Sequence, residues 1–288
     1  GRTDGLGAPQ ILDPWEGTVW TETFPGSDAV LWSHDIHRLP DGRIVSIEEQ
    51  QNVGPAGGTW TGFGLRIYDP VDDEVDWTWS SQSAVDAHTL PTAVGTDKDP
   101  YHANWVEVVG DDVYVSLCYA AQIIKIDATT GDIVWKMGAD GDLVPDVAPE
   151  CTHGLEIVGD RLLVYDNGRE RHESAASEYR IDEVAMTATR TWTWTEPGWY
   201  EHVLGDVDHW GDDVIVTQAH ASWSTTPGAH SAVVEVERPS DLVVWRLDLD
   251  AADSVYRSER IDGCDLFAHV QSCPAVAARF AELFPAGL

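Results

Sequence analysis

Apolar residues alternate with polar ones, or run in short stretches, along almost the whole chain, and Gly, Asp, Asn and Pro break the stretches at regular intervals. This is the pattern of short β-strands joined by tight turns. Five segments share one hairpin plan, an apolar stretch, an acidic residue, a polar turn and an apolar pair closed by Trp. They are Ile11 to Trp20 (ILDPWEGTVW), Arg66 to Trp77, Ile124 to Trp135, Tyr179 to Trp192 and Val234 to Trp245, and their closing tryptophans are 57, 58, 57 and 53 residues apart. Between them lies a second hairpin plan, starting at Ser33, Tyr101, Thr152 and Gly205, with apolar runs on both sides of a Gly/Asp turn. Helical apolar spacing is confined to the stretch near Ala275 to Phe284, which predicts a short C-terminal helix or tail around 274–288.

Four strands per repeat of this period predict an all-β chain folded as a β-propeller in one domain, residues 1–288. The repeat count gives five blades. Six is the alternative, should the stretch from Ser81 to Tyr101 hide further strands. The chain opens on an outer hairpin and ends, after Trp245, on an inner pair (DSVYRSERIDGCDLF). N- and C-terminal strands are therefore expected to share one blade and close the ring, which removes two free sheet edges. The segments Gln50 to Gly64 and Ser81 to Asp99 are expected to be long loops.

Charge narrows the partners. The chain carries 17 basic and 50 acidic residues, a formal net charge of −33, which repels nucleic acid and anionic lipid. No apolar run reaches the ~18 residues of a membrane span. Only three basic residues are lysine, a balance that fits a salt-rich setting or an Arg-rich codon usage. Of the four cysteines, Cys264 and Cys273 have the spacing of a local disulfide, and Cys118 and Cys151 are a second pair or two small buried residues. Disulfides place the protein in a secreted or periplasmic setting. The first ten residues lack a basic start followed by an apolar stretch, so a signal peptide was either removed or never present.

Candidate chemistry follows from the repeat. The first residues of an inner strand face the propeller axis, and His34, His102 and His153 stand there in three repeats. His34 and His102 precede their turn glycines, Gly42 and Gly110, by eight positions, and His153 precedes Gly159 by six. The next repeat supplies His220, in VTQAHAS. The motif YDNGRER, Tyr165 to Arg171, places Arg169 and Arg171 beside an Asp-Asn-Gly turn, and guanidinium groups there suit a sulfate, phosphate or carboxylate.

The stretch HANWVEVVGDDVYVSLCYAAQIIKIDATTGDIVWKMGADGD, with THGLEIVGDRLLVYDNGRER and SEYRID after it, resembles the repeats of the bacterial arylsulfotransferase family. The closing SVYRSERI is similar to that family's ending. The resemblance covers Tyr101 to Ile261. It implies sulfuryl transfer from a phenolic sulfate ester to a phenolic acceptor through a sulfated histidine, without nucleotide or other cofactor. By position it implies His102 and His153 as site histidines, Arg171 or else Arg169 as the sulfate-binding arginine, Asn104 as a substrate contact and His220 as the nucleophile, with His34 completing the group. The expected ligand is a small aromatic anion. The family is six-bladed and longer, and QAHAS has no firm counterpart in it. Two other readings use the same residues. In one, His34, His102, His153 and His220 bind Zn or another divalent transition metal for hydrolysis or lysis. In the other, a non-catalytic propeller binds a partner through exposed Trp60, Trp105 and Trp223.

Overall fold

The computed structural model describes residues 10–13, 17–21, 31–54, 57–92, 98–220, 230–250 and 254–260. Among the described residues, most apolar runs become strands and most Gly/Asp clusters the turns between them. The N-terminal hairpin pairs β1 (Gln10–Asp13) with β2 (Gly17–Thr21). Four antiparallel four-stranded sheets follow, in chain order. The first holds β3 (Leu31–Arg38), β4 (Ile44–Val53), β5 (Thr59–Asp69) and β6 (Glu74–Ser80). The second holds β7 (Ala103–Val109), β8 (Asp112–Leu117), β9 (Gln122–Asp127) and β10 (Ile133–Gly138). In the third are β11 (Thr152–Val158), β12 (Arg161–Asp166), β13 (Ala175–Asp182) and β14 (Thr187–Trp194). The fourth contains β15 (Asp206–Trp210), β16 (Asp213–Gln218), β17 (Ala232–Glu237) and β18 (Leu242–Asp248).

The strands of each sheet are paired in sequence order, and the first strands touch one another along the series β3, β7, β11, β15. The core lies between sheets. One apolar cluster joins the first and second (Val45, Ile47, Val113, Val115), another the second and third (Trp135, Met137, Leu162, Val164), a third the third and fourth (Tyr165, Val214, Val216). Sheets stacked face to face with their first strands innermost make a propeller-like all-β fold.

The repeat-closing tryptophans bond each sheet to the next. Trp77 Nε1 donates to the Ala128 carbonyl at 2.9 Å, Trp135 Nε1 to Glu183 Oε1 at 2.8 Å and Trp192 Nε1 to Asp241 Oδ1 at 2.8 Å. Each acceptor lies in the turn between the third and fourth strands of the following sheet. The indole fills the space between sheets while its one donor is satisfied at the rim.

Two expected loops are corrected. Gln50 to Gly64 is mostly strand, because β4 and β5 stay paired as far as Val53 and Thr59. Its polar side chains are satisfied inside the fold: Asn52 Nδ2 donates to Ser81 Oγ at 2.9 Å, and Gln50 Oε1 accepts from Ser80 Oγ at 2.7 Å. Those serines begin a short helix, α1 (Ser81–Asp86), capped by the Ser80 hydroxyl, so the second expected loop is partly helical. The described part of Ser81 to Tyr101 contains no strand. Residues 254–260 form no strand either. The expected helix at 274–288 and the Cys264–Cys273 pair lie outside the described residues, whereas Cys118 and Cys151 are joined as a disulfide between the second and third sheets. Among the described residues no helix is long and apolar enough to cross a membrane.

Candidate active site

A residue in the left-handed region stands within the first inner strand, at His34 (φ 56°), and just ahead of the next three, at His102 (φ 49°), Cys151 (φ 57°) and Leu204 (φ 65°). In the first three sheets the pairing with the second strand shifts around His34 and just after His102 and Cys151. His34 and His102 are thus equivalent, but their counterpart in the third sheet is Cys151, and His153 takes the place of Asn104. The expected equivalence of all three histidines is corrected accordingly. Side chains in this conformation are strained, and such strain gathers at functional sites.

The three imidazoles are nevertheless brought together. The rings of His34 and His102 are 4.5 Å apart between centroids, and His102 stacks on Tyr119 at 4.3 Å. Asp99 grips His102 twice, accepting from its backbone N–H at 2.9 Å and from Nδ1 at 2.7 Å. That bond leaves Nε2 as the lone-pair nitrogen. His34 is open to solvent on one side, yet loss of hydration, then the neighbouring His102, pushes its pKa down to about 4, with Arg257 adding and Asp99 opposing.

His153 is 2% exposed and has both ring nitrogens engaged. Asn167 Nδ2 donates to the carbonyls of Glu201 and Leu204, both at 2.9 Å, which fixes Asn167 Oδ1 as an acceptor. Nδ1–H of His153 donates to that oxygen at 2.6 Å, and Nε2 accepts from Asn104 Nδ2 at 3.2 Å. Burial lowers the pKa to about 3, against the opposing Asn167 bond and with help from His34, His102 and Arg257. The ring is therefore neutral.

The Asp-Asn-Gly turn does three things. Asn167 holds His153. Asp166 accepts from the Glu150 and Gly168 N–H groups and from Arg171 Nη2 at 2.7 Å. Gly168, at φ 60°, lies so close to the Glu173 carbonyl that a Cβ would come within 1.9 Å of its oxygen. Arg171 is committed to Asp166 and to Glu150, 3.0 Å away. Arg169 instead lies over Tyr119, 5.1 Å from the ring centre, and so one ring from His102.

His220 is buried, with Nδ1 3.3 Å from Glu201 Oε2. Since the Glu201 carbonyl also anchors Asn167, one residue links His220 to the support of His153. Trp60 and Trp105 are 6% and 7% exposed and are not surface anchors. Both pack into the apolar clusters between sheets, and Trp223 lies outside the described residues. Among the described residues, no group of three or more His, Cys, Asp or Glu has metal-holding geometry.

The chain matches the family model for arylsulfotransferase (ASST) over residues 18–257. It belongs to the arylsulfotransferase family. No curated protein matches this arylsulfotransferase-family sequence. Solved structures similar to it include a Bacteroides fragilis protein provisionally assigned as a 6-phosphogluconolactonase (10% identity, TM-score 0.39, covering 75% of this chain and 56% of that one). Another is Myxococcus xanthus glutaminyl cyclase (10% identity, TM-score 0.37, covering 77% of this chain and 79% of that one). These likenesses are too distant to carry function.

Several site residues of this arylsulfotransferase-family protein escape a reading of the sequence. Asp99 sits three positions before His102, and Glu201 is far from both histidines it serves. Asn167 is hidden in a turn motif that turn chemistry alone explains. Arg257 is the fourth: its guanidinium bonds Asp35 Oδ1 and, at 3.3 Å, the His34 carbonyl. It also lies 4.3 Å from the Trp105 ring centre. Burial opposes ionisation of Asp35, but His37, Arg257 and the Val106 N–H outweigh it and hold the carboxyl below its usual range. Further along the inner strands, Glu107, Glu156 and Asp208 each precede a turn glycine by three positions. Burial first, then mutual repulsion with Glu156, Glu259 and Glu107, lifts Asp208 to about 8.

Proposed function

We propose that this protein transfers a sulfuryl group from a phenolic sulfate ester to a phenolic acceptor through a histidine intermediate, using no nucleotide. The family match over residues 18–257 carries the reading. The geometry agrees with it in two respects. His220 has Glu201 at Nδ1, which orients the ring and leaves Nε2 to attack. His102 has Asp99 at Nδ1, which offsets positive charge when the ring carries a second proton.

In the first half, His220 Nε2 attacks sulfur, the bond from sulfur to the aryl oxygen breaks, and the departing phenolate takes a proton from His102. In the second, the acceptor phenol gives its proton to His102 as its oxygen attacks sulfur and the bond to His220 breaks. Charge gathers on the three non-bridging oxygens in a loose transition state, so positioning and neutralisation supply most of the rate. His153, neutral and doubly bonded, is fixed support that aims Asn104. The donor is a small aromatic anion.

We also infer that five blades close the ring. The fourth sheet leaves Leu242, Val243, Val244, Trp245 and Leu247 exposed. The equivalent residue in each earlier sheet, Trp77, Trp135 or Trp192, bonds a following turn. By that rule Trp245 meets the hairpin of β1 and β2. The disulfide supports a secreted or periplasmic site of action.

Release of 4-nitrophenol from its sulfate ester, with and without added phenol, tests the activity. The expected result is acceptor-dependent release, reduced at least about 10²-fold by His220→Ala or His102→Ala. Release by neither route would end the proposal, and one bound transition metal per chain by elemental analysis would point to the hydrolase instead.

A further inference from the structure

Arg257 and Tyr256 are site groups to which the family resemblance assigns no role. Both come from the segment 254–260, which touches two widely separated parts of the fold. Tyr256 accepts the Gly205 N–H at its carbonyl, and Ser258 Oγ is 2.6 Å from Thr217 Oγ1 in the fourth sheet. Arg257 reaches the first sheet, bonding Asp35 and the His34 carbonyl across 222 and 223 residues of sequence.

The guanidinium lies between the Trp105 and Tyr256 rings, 4.3 Å and 5.2 Å from their centres. The Tyr256 ring is in turn 6.2 Å from that of His153. Arg257 is thus inside the histidine group, whereas Arg171 is spent on two carboxylates. Two of its five N–H groups go to Asp35 and His34, which leaves donors that an anion can share. The Tyr256 hydroxyl is buried and makes no well-formed hydrogen bond among the described residues, although the Arg257 side chain approaches it. An orphaned buried hydroxyl next to a half-buried guanidinium is costly unless a ligand completes it. Burial pushes the Tyr256 hydroxyl up to about 12, so it remains a donor.

From the orphaned hydroxyl and the adjoining guanidinium we infer that Tyr256 and Arg257 form an oxyanion seat for the sulfate group of the ligand, assembled only when the C-terminal segment docks against the first sheet. Asp35 is the positioning residue. It fixes one edge of the guanidinium and is itself held by the Val106 N–H at 2.8 Å. The identity of the anion rests on the proposed sulfuryl transfer, but the seat is defined by its own residues.

Titration calorimetry with inorganic sulfate at low ionic strength tests the seat, alongside steady-state assays with 4-nitrophenyl sulfate. Wild type is expected to bind sulfate. Tyr256→Phe, which removes one hydroxyl and leaves the ring, should weaken sulfate about tenfold, the worth of one hydrogen bond to a charged group. Arg257→Gln should abolish measurable binding and lower kcat/KM about 10²-fold, with Arg257→Lys recovering part of both. Arg180→Gln, at an exposed pair with Asp160, controls for the loss of one positive charge. Melting temperatures show which variants are folded. Sulfate affinity unchanged in folded Tyr256→Phe and Arg257→Lys overturns the seat, as does a wild type that binds no sulfate. Arg257-dependent binding without transfer in wild type would sink the proposed activity alone. Transfer that ignores Arg257 and Tyr256 would sink this inference alone.

Discussion

Asn167 shows how much one uncharged side chain can settle. Its amide nitrogen serves two carbonyls and its oxygen fixes the tautomer of His153. Asn167→Leu is expected to leave those buried groups unpaired and to cost about 2–4 kcal/mol in a urea melt, since each orphaned group costs about 1–3. Asp208 acts in the opposite sense. Its carboxyl titrates near 8 in the folded chain against an ordinary 3.8. As pH rises through that window the unfolded chain gives up its proton first, so folding weakens. Asp208→Asn should therefore melt higher than wild type by a margin that grows from pH 4 to pH 8, about 2–4 °C for each kcal/mol regained. Sequence repeats pointed at His34 and His102 because the inner strand is a fixed place in each unit, whereas His153 occupies the place of Asn104 and was grouped with them on a mistaken equivalence. They could not reveal Asp99 and Asn167, which act through irregular turns beside their histidines, or Glu201 and Arg257, which act through contacts between units.

At the scale of strands and sheets, the periodic tryptophan carries the most information. Its spacing made the hairpins legible, and its indole N–H explains the spacing, since each must reach the turn of the next sheet. Trp135 is 1% exposed. Trp135→Phe is expected to lose about 1 kcal/mol with the bond to Glu183, and Trp135→Ala about 3–5 kcal/mol with the cavity added, by chemical denaturation. Gly154 marks a close contact between inner strands: a Cβ there would come within 2.8 Å of the Asp206 Cα. Gly154→Ala should destabilise by about 1–3 kcal/mol, because β11 must move away from β15. Polar residues misled the sequence reading at Gln50 to Gly64, where Gln50 and Asn52 look like loop but are satisfied by serines at the start of α1. The shift of pairing at His34, His102 and Cys151 also hid the true match of Cys151 to His102.

For the molecule as a whole, charge and covalent linkage set the response to conditions. A net charge of −33 repels an anionic donor at long range, and salt screens that repulsion over about 10 Å at 0.1 M. KM for a sulfate ester should accordingly fall as NaCl rises from 10 to about 150 mM, while kcat changes little. The Cys118–Cys151 disulfide ties the second sheet to the third, and the Cys118 N–H donates to the His102 carbonyl. Replacing both cysteines with alanine should cost about 2–4 kcal/mol in a denaturant melt. The bond between Asp35 and Arg257 has a consequence for biosynthesis. A ribosome delivers the acid more than two hundred codons before the base that neutralises it, so until then a nascent chain has only His37 and the Val106 N–H to answer that carboxylate. Chains stopped between Asp248 and that arginine would retain all four sheets, and on the proposed seat they are expected to bind no sulfate.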